Sequence, residues 1–135
     1  MIQAQVMGAR LAGVRMTARQ LGVLQDSVER ACGLAGGSEW DRKAAAHAEI
    51  FGLLADVAGD PVLAQVLRGG AGYVRELLMA VGQVADGMVI SSRRRLLAHL
   101  RAGDGEGAAL EVERHLRVLH YMWRLARRPA GAIRT

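Results

Sequence analysis

Four histidines, one arginine run and a single cysteine are the side chains of this chain best suited to chemistry: His47, His99, His115, His120, Arg93-Arg94-Arg95 and Cys32. An imidazole changes charge near neutral pH and ligates many metals. A guanidinium grips a carboxylate or phosphate at two points. His47 shares a helical face with Ile50, Phe51 and Leu54, where a histidine is most often a hydrogen-bonded core or boundary residue. Of three consecutive helical arginines only one can face a bundle interior, and the others are solvated. His99 and His120 fall into no partner pattern and read as structural or exposed. One cysteine excludes an internal disulfide framework and fits a reducing, cytoplasmic setting.

The sequence carries no nucleophile elbow, no phosphate-cradling glycine loop and no His-Glu-x-x-His pair, and its carboxylates form no evident acid–base pair. The expectation is therefore that the chain is not an enzyme. Direct nucleic-acid binding is a separate possibility, with Arg93 to Arg95 and Arg124, Arg127 and Arg128 as basic patches.

The elements that must position these residues read as helices. The chain has 135 residues, enough for one domain with a real core. Hydrophobic residues make up 51% and aromatics only 4%, so packing rests on Leu, Val, Ala, Ile and Met, a palette suited to helix-on-helix seams. The net charge is +5, and all but one of the eighteen basic residues are arginine, the exception being Lys43. That excess fits either a phosphate-binding surface or a compositional bias of arginine for lysine. No apolar run approaches the ~18 residues of a membrane span, and no signal peptide is visible.

Helical spacing over Ile2 to Met16 gives the first element. Thr17 opens the second with a capping box completed by Gln20, and Gly33 and Gly36-Gly37 end it. Ser38 is expected to cap a third helix running to about Val57. In Ala58-Gly59-Asp60-Pro61, Gly59 stops one helix, Asp60 caps the next and Pro61 takes its first position. The fourth helix is expected from Val62 to about Asp86, with a kink or break at Gly69-Gly70 and Gly72. A fifth begins at Ser91 or Ser92 and runs to Ala102. A sixth runs from Gly105 to Arg128 before Pro129. The expected fold is all-α, an antiparallel bundle of about six helices over residues 1–128 with a tail over 129–135.

Two segments resemble the FCD domain, the effector domain of the FadR branch of GntR-type bacterial transcription regulators. One is His47-Ala-Glu-Ile-Phe51 leading through Gly59-Asp60-Pro61 to Leu63, similar to an Asp-x-x-Phe-His helix entering a Gly-Asn-Pro turn. The other runs from Arg93 through Leu97 and Gly103-Asp104 to Ala108, Val112 and His115-Leu116, similar to a His helix followed by Gly-Asp and His-Leu. Ala9 to Ala12 is similar to the opening helix. The resemblance covers residues 1–127.

It implies a helical bundle with an effector pocket, a two-fold homodimer, and DNA binding through a winged helix-turn-helix domain, of which this chain shows no segment. Many members hold a divalent metal with one Asp and three His. Carried over through the Gly59-Asp60-Pro61 turn, those positions fall on His47, Phe51, Arg93 and His115. In a second register His47 takes the first His position and Lys43 the Asp position. Both leave His47 and His115 as the metal ligands to consider. The resemblance thus points to an alternative grip: Arg93 with His47 and His115 holds the anionic group of a small carboxylate effector, and Phe51 supplies an apolar wall. Trp123 and Tyr121 are candidates for the core or a dimer interface. A stand-alone dimerisation module, or a truncated regulator with no DNA binding of its own, is the alternative function.

Overall fold

The computed structural model describes residues 2–34 and 39–127. Among these the chain forms six α-helices and no strand: α1 (Ile2–Arg15), α2 (Ala18–Gly33), α3 (Trp40–Val57), α4 (Pro61–Val81), α5 (Asp86–Arg101) and α6 (Gly105–Ala126), with a 3₁₀ turn at Gln83–Ala85. The all-α bundle expected from helical spacing is what is found. The expected tail at 129–135 and the Ser38 cap lie outside the described residues.

Local chemistry explains most boundaries. The Thr17 hydroxyl accepts from the Gln20 backbone N–H and the Gln20 side chain accepts from the Thr17 backbone N–H, closing the capping box. Asp60 accepts from the backbone of Val62 and Leu63, with Pro61 at the first helical position. Asp104 caps α6 through the Gly107 N–H at 2.8 Å.

Two boundaries differ from expectation. α4 is unbroken through Gly69, Gly70 and Gly72. Leu67, Val74, Leu77 and Leu78 form a buried stripe across that region, and their packing outweighs a propensity penalty of roughly 1 kcal/mol per glycine. α4 instead stops at Gly82, whose φ of +88° suits a residue without Cβ. α5 then begins at Asp86, one helical turn and more before Ser91.

The end of α1 meets the start of α6, where Gly13 and Gly105 let the two backbones touch; a Cβ on either would overlap the other helix. Arg10 and Glu106 pair across the same crossing at 2.8 Å. The start of α3 meets the end of α4 through the Trp40 indole N–H, which donates to the Leu78 carbonyl at 2.7 Å. The core is mostly Leu, Val and Ala, with Phe51 and Ile50 from α3 at its centre. Into that core α3, α5 and α6 also send large polar side chains.

Candidate functional site

α3 buries Lys43, His47 and Phe51, spaced four residues apart and so stacked along one face. α5 faces them with Arg93, and with Asp86 two turns earlier. α6 adds His115 and, one turn before it, Glu111. His47 and His115 are fully buried and Arg93 is 1% exposed. The neighbouring Arg94 and Arg95 are about half exposed, so one arginine of the run turns inward, as the helical geometry requires.

The Arg93 guanidinium lies over the Phe51 ring, 4.9 Å from its centroid. Its Nε and Nη2, and both ring nitrogens of His47 and of His115, are buried without a hydrogen-bond partner among the described residues. A cation–π contact is worth about 2 kcal/mol when desolvated, far less than an unpaired buried charge costs.

Charge states follow from this packing. Burial, reinforced by the Arg93 charge, pushes His47 down to about 4. Burial and Arg93 likewise hold His115 well below the ordinary histidine range. Burial lowers Arg93 to about 10, opposed by Cys32 and Glu111. At neutral pH the cluster is one guanidinium and two neutral imidazoles, each able to donate at one nitrogen and accept at the other.

Two further groups were not singled out from sequence as site residues. Lys43, 2% exposed, donates to Asp86 Oδ2 at 2.8 Å, while Asp86 Oδ1 is buried and unpartnered. Glu111 accepts from Ser92 at 2.7 Å, Arg95 at 2.8 Å and Arg114 at 2.7 Å. Lys43 stands one turn before His47 and had drawn notice only as the residue at the Asp position of the second register; Glu111 stands one turn before His115, its one sequence signal.

The donor set does not fit a divalent metal. Neutral imidazoles are suitable ligands, yet only two converge. The other two ligand positions hold a hydrocarbon ring and a cation whose charge opposes a dication. Among the described residues no group of three His, Cys, Asp or Glu is assembled for a metal ion.

The remaining histidines stand apart from the cluster: His99 pairs with Asp104 at 3.1 Å, and His120 shares a hydrogen bond with the Tyr73 hydroxyl. Tyr121 is exposed, Trp123 packs partly on the core, and Arg127 lies over the Trp123 ring. A cleft of about 150 Å³ lined by Met16, Arg19, Val23 and Leu53 lies between α2 and α3 and contains none of the cluster residues. No helix among the described residues is long and apolar enough to cross a membrane.

Comparison with known proteins found no matching curated protein and no matching solved structure. The family description that does match is the FCD domain, over residues 5–118. That span takes in every residue of the cluster, and the match covers most of the chain: it belongs to the FCD family, the effector-binding regulatory domains of GntR-type regulators.

Proposed function

We propose that this chain senses a small organic acid, gripped by Arg93 with His47 and His115 against Phe51, and that it acts as a homodimer in the cytoplasm of a bacterium. Binding would favour one arrangement of the bundle, and the dimer would carry the change to a winged helix-turn-helix domain of the FadR type. The observation that supports this reading is the set of six unpartnered polar atoms on three buried side chains. Buried polar groups are almost always satisfied in a finished fold, and a carboxylate satisfies a guanidinium in two places. The match to a regulatory family supports a binding role rather than catalysis.

The test is calorimetric titration of the purified chain with a panel of short carboxylates, repeated with Arg93→Ala. Native mass spectrometry of the parent should show a dimer, with no divalent metal and with a small acid retained. Loss of one bidentate charged contact should weaken binding by about a hundredfold. Equal affinity of parent and variant for every acid would refute the grip. A pure dimerisation module is the second reading, favoured by the exposed Leu110, Tyr121 and Leu125 along α6. It predicts a dimer that binds none of the panel.

A further inference from the structure

The polar cluster does not end at Arg93. Along α3 the row continues from Phe51 through His47 to Lys43, and along α5 from Arg93 back to Asp86. The two rows meet again at the Lys43–Asp86 pair. Seven residues separate Arg93 from Asp86, which at ~1.5 Å rise is about 10 Å along the helix. His47 lies between, within reach of the charges of Arg93, Asp86 and Lys43.

The two ends want opposite things. Arg93 presents unpartnered donors, Nε and Nη2, whereas Asp86 presents an unpartnered acceptor, Oδ1. Lys43 occupies Asp86 Oδ2 and so holds the carboxylate in place while leaving Oδ1 for something else. Asp86 also keeps 25% of its side chain exposed, against 2% for Lys43, so the row reaches solvent at this end.

We propose that Asp86, oriented by Lys43, is the specificity residue of the same site, and that it selects a hydroxylated monocarboxylate whose hydroxyl lies several carbons from its carboxylate. This rests on the Arg93 grip described above. The carboxylate meets Arg93 and His115, and the hydroxyl donates to Asp86 Oδ1. Charge separates this class from its neighbours. Arg93 and Lys43 are two cations, Asp86 is one anion, and both imidazoles are neutral, so the row carries one surplus positive charge. A monoanion balances it. An amino acid, neutral overall, leaves the surplus in place and puts its ammonium beside Lys43. A dicarboxylate sets its second anion against Asp86.

Four acids of equal chain length separate these cases: hexanoate, 6-hydroxyhexanoate, 6-aminohexanoate and adipate, with propanoate as a short control. Each is titrated calorimetrically into the parent, Arg93→Ala, Asp86→Ala and the double variant Lys43→Met/Asp86→Leu. The double variant removes both charges, so no buried lysine is stranded if Asp86→Ala folds poorly. The expected result is a preference for 6-hydroxyhexanoate over hexanoate of about tenfold, the worth of one hydrogen bond to a charged acceptor. That preference should fall below about twofold in the double variant, with hexanoate affinity nearly unchanged. The amino acid and adipate should bind more weakly than hexanoate. If hexanoate and 6-hydroxyhexanoate bind equally while both need Arg93, then water satisfies Oδ1 and the specificity role is wrong, although the grip survives. If propanoate alone binds through Arg93, the extended ligand is wrong and the grip again survives. If nothing in the panel depends on Arg93, both fall.

Discussion

Two buried polar groups sit one helical turn apart on α6 and are built in opposite ways. Glu111 is surrounded: Ser92, Arg95 and Arg114 all donate to it, and these contacts hold its carboxyl below the usual range against the opposing effect of burial. His115, with Arg93 and His47 beside it, has no protein partner among the described residues at any of the six atoms noted above. The same helices supply both sets, so the contrast does not come from a shortage of polar side chains. Arg95 turns out to serve Glu111 while Arg93, two residues earlier, turns in toward a hydrocarbon ring. A buried polar network that serves the fold is satisfied by the fold. One left open is a place where stability is given up for binding.

The two groups should fail in different pH windows, and this is the largest effect expected. His47 has a folded-state value of about 4 against 6.5 for the free side chain. Its neutral form therefore supports the fold fully above about pH 6.5. That support is lost as pH falls from 6.5 toward 4, because the unfolded chain takes up the proton first. The total is roughly 3 kcal/mol, and His115 adds in the same direction. Glu111, whose carboxyl is also lowered, keeps its contribution above the ordinary carboxylate value of 4.5 and loses it only as pH falls through and below that value. Urea unfolding at pH 7, 5.5 and 4.5 should show the loss already under way at 5.5, and a flat profile to 4.5 would contradict the neutral buried imidazoles.

Next in size is Glu111→Ala, which strands the buried Ser92 hydroxyl and leaves Arg95 and Arg114 facing each other. Both arginines are about half exposed and can turn to water, so the expected loss is about 2 kcal/mol in chemical unfolding. Acid affinity should change little. A large change there would mean that Glu111 belongs to the site and that the contrast between the two groups is false. The smallest effect is Phe51→Leu. It removes the ring under Arg93 but keeps most of the buried volume, for a loss of about 1 kcal/mol without ligand.

How much of this was legible in the sequence depended on the distance between partners. The Thr17–Gln20 capping box and the Asp60-Pro61 start are local and could be read directly. The inward turn of one arginine among three follows from helical geometry alone. The burial of His47 and Phe51 followed from their spacing with Ile50 and Leu54. The Lys43–Asp86 pair spans 43 residues, and no local pattern announces it. Glu111 lies on a helix rich in charges, where its burial depends on which face α5 covers. The expected break in α4 failed for the same reason in reverse, since the packing of Leu67, Val74 and Leu78 overrides three glycines. The early start of α5 hangs on the φ of Gly82, one glycine among seventeen.

The most direct measurement is the melting temperature of Arg93→Met beside the parent, each with and without saturating short-chain carboxylate. If Arg93 is held open for a ligand, replacing it with an apolar side chain of similar length relieves a buried, unpaired charge. The ligand-free variant should then melt a few degrees higher than the parent. Carboxylate should raise the parent's melting temperature by several degrees and leave the variant's unchanged. A variant that melts lower than the parent, and that still responds to carboxylate as the parent does, would show that Arg93 serves the fold and not the ligand.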